Sequence, residues 1–393
     1  MGLAARVLLL AGLIVLAGCA GKGGISPPEG LEPGAMFAQE GWGGELAALA
    51  SGADYVLVGE GHTIFCDHKV QAAVIESLAG LEPAIGLEMV SVERQDVLDR
   101  FNAGDMRIAD LREALNWDKT WGHSFRLYVP VFGAAKQQGL NFYALNMPRE
   151  VISAVSDGGI EAVSDENSKY LPRRVIKPAP GQVRELRAVY EAHAPKMKQG
   201  DEKAGSFDRF LLIQSLWDTA MADNAVRIRR ETGKPVVVLA GAGHVEYGLG
   251  IARRIRALDP DAGILTISPW RGMADADPEA GDVFFYCPPT HAAKGGYSMA
   301  FKPDGVFVAD VDPGSPAEAA GLREGDRIVG VEGERVESPG ELFRAMMRAR
   351  QAEDDITLLL ERGGGLAAAR IEAGEPDAEA GEIEPGDENA GTP

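Results

Sequence analysis

Tyr55-Val56-Leu57-Val58-Gly59-Glu60-Gly61-His62 decides the fold, because its form recurs at Val236-Val237-Val238-Leu239-Ala240-Gly241-Ala242-Gly243-His244. Each stretch is an apolar, β-branched run that breaks into glycines and ends in a histidine. Continuous runs of this kind read as parallel strands buried on both faces. Glycines just past the strand end let the backbone turn sharply and approach a ligand closely. In open α/β sheets ligands lie outside the carboxyl ends of the strands. Both histidines are therefore expected on the rim where such a sheet does its chemistry.

The surrounding pattern extends that reading. Helical spacing of apolar residues predicts helices over Leu46–Ser51, Cys66–Leu81, Val92–Phe101, Ile108–Leu115 and Tyr128–Gln138, with strands at Ala84–Leu87 and Leu140–Leu145. The β-α-β-α-β order predicts an α/β fold, a mostly parallel sheet with helices on both faces. Val151–Lys203 breaks the rhythm and reads as a polar insertion or lid with one helix near Val183–Ala192. Phe207–Arg230 is the longest expected helix, with a stripe of Phe210, Ile213, Trp217, Ala220, Met221 and Asn224. A helix over Leu249–Leu258, a strand at Ile264–Ile267 and an edge strand at Val283–Tyr286 close the first domain. From Tyr297 short alternating strands with Gly and Pro turns, and a late helix near Gly340–Arg350, predict a second, small α+β unit. The segments are then 1–18 leader, 19–42 tether, 43–290 α/β domain, 291–372 second domain and 373–393 acidic tail.

The ends carry their own signals. Val7–Leu16 has the length of a signal-peptide core and is too short to span a bilayer. It runs into Leu16-Ala17-Gly18-Cys19, which resembles a bacterial lipoprotein box. That resemblance implies cleavage before Cys19, lipidation of its thiol and a membrane anchor. Ala20 in place of aspartate points to the periplasmic face of the outer membrane. The net charge of −20 disfavours nucleic acid and anionic lipid surfaces as partners. After Cys19 only Cys66 and Cys287 remain, either as a disulfide or as two free structural cysteines. The last stretch, Glu372–Pro393, holds eight acidic residues and no basic one, a disordered composition.

Glu60, His62, Glu88, Asn146 and His244 all fall at or just beyond expected strand ends, and His68 lies near enough to join from the side. Imidazole with carboxylate suits a divalent metal such as zinc, manganese or iron, with His62, Glu60, Glu88 and His244 as ligands. It suits equally a general base held by a carboxylate. A second cluster is aromatic: Trp117, Trp121, His123, Phe125 and Tyr128, with Lys119 and Arg126 between them. It is either a packed corner or the wall of a pocket for a flat apolar ligand whose carboxylates the two cations reach. Tyr247 follows His244 by three residues, and a phenolate suits ferric iron if cations or the metal lower its pKa. A nucleophile elbow, a dinucleotide fingerprint and the His-Glu-x-x-His zinc spacing are all missing from the chain.

Residues of about 53 to 290 resemble the ChaN-like haem-binding uptake proteins of the Tiki superfamily. The resemblance rests on Val58–His62, Ile85-Gly86-Leu87-Glu88-Met89, Trp117-Asp118-Lys119-Thr120-Trp121-Gly122, Leu145-Asn146-Met147-Pro148-Arg149-Glu150 and Ala240–His244. It implies a lipoprotein of iron acquisition, haem as cofactor, and two chains sandwiching haem through tyrosine ligation. Tyr247, Trp121, Tyr128 and Arg126 are the residues assigned to the cofactor, Tyr247 because it adjoins the second motif. The wider superfamily implies an alternative, a metal-dependent hydrolase of protease or erythromycin-esterase type using His62, Glu88 and His244. Residues of about 297 to 372 resemble a bacterial envelope PDZ domain through Val311-Asp312-Pro313-Gly314-Ser315-Pro316 and Gly325-Asp326-Arg327-Ile328-Val329-Gly330-Val331. This implies a protein or peptide partner, with Ser298, Met299, Ala300 and Phe301 as the carboxylate loop. That stretch lacks the central glycine common in family loops.

Overall fold

The structure, a computed structural model, describes residues 24–38, 44–193, 206–272, 274–293, 295–302, 304–336, 339–351 and 355–372. The lipid-box cysteine Cys19 and the acidic tail from residue 373 lie outside the described residues.

The first sheet has seven strands: β1 (Met36–Ala38), β2 (Tyr55–Glu60), β3 (Ala84–Ser91), β4 (Phe142–Asn146), β5 (Val236–Gly241), β6 (Ile264–Trp270) and β7 (Val283–Tyr286). Their spatial order is β1-β7-β6-β2-β5-β3-β4, all parallel except the β1–β7 pair. Every residue of β2 and β5 is buried, which is why these strands read as unbroken apolar runs. One face packs on the helices Phe65–Leu78 and Val129–Gln138 through Val74, Ile75, Phe132 and Leu87. The other packs on the 26-residue helix Phe207–Thr232 through Met221, Ala225 and Ile228. That helix is started by the Ser206 hydroxyl, which accepts from Arg209 N–H, and stopped by Gly233 in the left-handed region.

The edge of this sheet differs from expectation, and the open question of the cysteines is answered. Val283–Tyr286 is not an edge strand: β1 covers it, with Phe37 packed on Phe284 and Trp270 at ring separations of 5.6 and 5.4 Å. The covering strand comes from the stretch expected as tether, and Ile25 forms a further bridge to Ala276. An alternation of one inward Phe between two partly exposed residues suffices to seat so short a strand. Cys66 and Cys287 form a disulfide, Cα–Cα 5.8 Å, joining the helix after β2 to the chain leaving β7.

The second sheet is antiparallel: β8 (Thr290–Ala293), β9 (Tyr297–Lys302), β10 (Gly305–Val311), β11 (Arg327–Val331), β12 (Glu334–Arg335), β13 (Ile356–Arg362) and β14 (Gly365–Ile371), in the order β14-β13-β11-β10-β9-β8 with β12 on β11. Its core is Met299, Val306, Val308, Ile328, Leu342, Leu358 and Leu360. Ser298–Phe301, expected as a loop, lies inside β9, because its residues alternate toward that core and pair on both sides. The two sheets' domains meet where Arg126 ion-pairs with Asp310 and Asp312, and where Lys69 reaches Glu324 at 2.9 Å.

Candidate functional site

The register of the parallel sheet builds the site. Glu60 ends β2 opposite Gly241 of β5, and Leu87 of β3 pairs with Leu239, so Glu60, Gly241 and Glu88 come side by side at the carboxyl rim. His62 then folds back over Gly241. A Cβ at position 241 would stand 2.7 Å from His62 Cε1 and 3.0 Å from its Nε2. Only glycine leaves room for that ring, which is the physical reason for the glycine after the second strand.

Glu60 is the hub of the first half. Its Oε1 accepts from the Tyr128 hydroxyl at 2.7 Å and lies 2.9 Å from His62 Nδ1. Its Oε2 accepts from Gln71 Nε2 at 2.7 Å and lies 3.4 Å from His68 Nδ1. His68 Nε2 faces the His62 carbonyl at 3.2 Å, and its Nδ1 also faces Gln71 Oε1 at 3.2 Å. Both nitrogens of His68 thus face acceptors, an arrangement that favours the protonated ring and agrees with the upward shift of its pKa, where burial is outweighed by the Glu60 carboxylate. The turn itself is pinned by Asp67: its Oδ2 accepts from Gly61 N–H at 2.7 Å, and Arg271 clamps the carboxylate with bonds of 2.8 and 2.6 Å.

Glu88 and His244 form the second half. Glu88 Oε2 accepts from Gly241 N–H at 2.6 Å, and its Oε1 lies 3.4 Å from His244 Nε2. The other ring nitrogen of His244 lies 2.6 Å from Asp218 Oδ1 on the long helix. Asp218 is held by Gln182 at 2.7 Å and by the fully buried Arg254 at 3.2 Å, and Arg254 bonds Gln182 Oε1 at 2.6 Å. Glu88 therefore stands between the two imidazoles.

Electrostatics follows from this pairing. Burial pushes the Glu60 carboxyl up, but His68 and His62 outweigh it and hold the group well below the usual range. Burial pushes the His62 imidazole down, but Glu60 and Glu88 raise it above its ordinary value. For His244 burial is likewise overcome, by Glu88 and Asp218, and its pKa rises to about 9. His244 is therefore held as imidazolium at neutral pH, and both rings are shifted toward the protonated form. A protonated imidazole donates protons or attracts anions, and it must lose a proton before it can ligate a metal. Glu60, His62, Glu88 and His244, expected as metal ligands, meet on one rim, where Glu60 pairs with His62 and Glu88 with His244. Among the described residues no group of three or more His, Cys, Asp or Glu side chains is arranged to hold a metal ion.

The aromatic corner joins the same site. Trp121 meets His62 edge-on at 4.9 Å between ring centres and donates from Nε1 to the Tyr128 hydroxyl at 2.9 Å; His123 lies 5.1 Å from His62. Trp117, Phe125 and Phe132 pack behind Tyr128 as core. Arg126 is turned away to the Asp310–Asp312 pair and lies over the Phe65 ring. Asn146 caps its own strand end, its Oδ1 accepting from Met147 N–H at 2.8 Å. Tyr247 is 42 % exposed and sits in left-handed backbone at φ 59°, its N–H bonded to the Ala280 carbonyl. Burial and then Asp277, Glu246, Glu185 and Glu279 raise its pKa, so these neighbours do not supply the lowering expected from cations or the metal.

Sequence reasoning missed Asp218, Gln182, Arg254, Asp67 and Gln71. The available signal for Asp218 was a carboxylate between Trp217 and Thr219-Ala220-Met221-Ala222 in a helix otherwise apolar there. Gln182 comes from the polar insertion after Val151, which thereby reaches the site.

Known proteins are similar to this chain over different stretches. The PDZ domain family matches residues 307–362. Over 81 residues, 20% of this chain and 17% of the relative, the sequence is 35% identical to a probable periplasmic serine endoprotease DegP-like of Halomonas elongata. The chain spans about a sixth of the length of the curated relatives it matches. Among solved structures, one of ChaN of Campylobacter jejuni with cofacial haem is 21% identical at a TM-score of 0.47, covering 61% of this chain and 89% of that one. An erythromycin esterase mutant in its open conformation is 14% identical at a TM-score of 0.36, covering 68% and 78%. The family described as haem-binding uptake, Tiki superfamily, ChaN matches residues 46–255, more than half of the 393, and the chain belongs to it.

Proposed function

We propose that this chain is a lipid-anchored haem-binding protein of the bacterial envelope that serves iron acquisition, with Tyr247 as the iron ligand. The observation that carries the reading is Tyr247 itself. A non-glycine residue with positive φ costs backbone energy, and such strain is held where a side chain must be presented. Here it turns a phenol outward beside the second glycine–histidine turn. The acidic neighbours raise the pKa of that phenol in the free protein, and they would favour the positive charge of a ferric centre that Tyr247 held as phenolate. Haem when bound supplies the ferric iron; the protein supplies the phenolate and its exposed setting, which also suits a second chain facing the first. The Cys66–Cys287 disulfide fits an oxidising compartment, as an envelope location requires. The anchor of this reading is the lipid on Cys19, as the lipoprotein box implies. Titrating hemin into the full chain should produce a Soret shift that Tyr247→Phe loses. An unchanged spectrum, or an identical one in the variant, would refute the ligand assignment. Cys19→Ala should release the protein from the membrane fraction.

A second reading, a hydrolase of the erythromycin-esterase or protease type, is favoured by one observation. Two imidazoles flank a buried carboxylate beneath Trp121 and His123, an arrangement suited to moving protons at a scissile bond. It requires ester or peptide turnover that His62→Ala abolishes while hemin binding survives.

A further inference from the structure

A PDZ domain takes its ligand by adding an extended peptide to an exposed sheet edge. In this chain the free edge of β9 is already filled. The four residues of β8 pair antiparallel with it, Thr290 with Ala300, His291 with Met299, Ala292 with Ser298 and Ala293 with Tyr297. Phe301 N–H donates to the Pro289 carbonyl at 3.1 Å, which fixes the phase of the ladder. Antiparallel pairs alternate, so His291 and Ala293 bond toward β9 while Thr290 and Ala292 aim their N–H groups outward.

β8 is a poor occupant by every other measure. Its side chains are small or exposed: His291 and Ala292 face solvent, and Ala293 alone touches the core. The backbone ladder holds it, with no side-chain anchor. One end follows Pro288-Pro289 from the Cys66–Cys287 disulfide, and the other turns on Gly295 and Gly296, both at positive φ. A ligand with apolar side chains would make the same ladder and add burial that β8 lacks.

We infer that β8 is a built-in competitor for the peptide edge of β9, and that the partner of this domain is an extended peptide which binds by displacing it. The inference rests on the PDZ reading of this unit. When a binding-competent state is a minor fraction, apparent affinity falls by that fraction, and weakening the competitor restores it.

Proline substitution separates the two outcomes. His291→Pro deletes a donor to β9, whereas Ala292→Pro removes only an outward N–H and is tolerated on an edge. Peptides selected from a C-terminally displayed random hexapeptide library on full-length His291→Pro should bind that variant at least about tenfold more tightly than wild type or Ala292→Pro. In the same His291→Pro protein the Tyr297, Met299 and Phe301 amides should exchange faster while β13 stays protected, which shows that the domain is folded. Should His291→Pro not fold, the pair Ala292→Cys and Ser298→Cys locks β8 instead, and peptides selected on the wild type should lose binding when that bridge forms. Equal affinity for all three proteins overturns the competitor but leaves the PDZ reading standing. No selectable peptide on a folded, open variant overturns both.

Discussion

The two glycine–histidine turns look alike in sequence and are built differently. In the first, the carboxylate that orients the histidine is two residues away: Glu60 and His62 share one turn, pinned by Asp67 and Arg271. In the second, the orienting carboxylate is Asp218, 26 residues upstream on the long helix, itself held by Gln182 and Arg254 from two further elements. The carboxylate of the first turn is supplied locally, whereas that of the second arrives only once the tertiary structure has formed. They share one member, Glu88, which couples them.

This difference makes the effects of damage unequal. The first turn's element is also stapled, since Cys66 sits at the start of the following helix and closes a span of 221 residues. On the chain-entropy model so long a span is worth roughly 5 kcal/mol. Cys287→Ser should therefore lower unfolding free energy by about that much in urea, the largest single effect, and the comparison would fail if melting were unmoved.

The second turn breaks by charge. Asp218→Ala leaves the buried Arg254 and His244 cations without their shared partner, and removal of one member of such a network costs roughly 3–5 kcal/mol. Asp218→Asn keeps the shape and loses the charge. Both should destabilise the protein, and both should drop the His244 pKa while leaving His62 closer to its wild-type value.

Stability should also depend on pH with a definite sign. The His244 pKa is about 9 in the fold against an ordinary 6.5, so its contribution is complete below pH 6.5 and is lost as pH rises through 9. Glu246, raised by burial to about 7 from 4.5, acts in the same direction over the lower window. Melting temperature should fall between about pH 6.5 and 9, by the equivalent of roughly 3 kcal/mol. A flat or rising profile over that range would show that His244 is not held between two carboxylates.

How much of this was legible follows the same division. The rim positions of Glu60, His62, Glu88 and His244 could be read because strands buried on both faces leave an unbroken apolar signature and glycine marks their ends. Asp218 and Arg254 could not, because helical periodicity places a residue on a face and says nothing of which strand end that face will meet. The stripe through Trp217 and Ala220 pointed to a buried side, and Asp218 lies one position beside it. β1 and β8 escaped because three- and four-residue strands carry no period to detect; backbone pairing made them, not pattern.

The central claim is that Glu88 joins the two turns into one proton-holding site. Proton NMR titration of the His62 and His244 rings in wild type and Glu88→Gln tests it directly. We expect His244 to titrate near pH 9 and His62 above 6.5 in the wild type, with both falling in the variant. Titration of both rings at an ordinary pKa, or no change on neutralising Glu88, would contradict it.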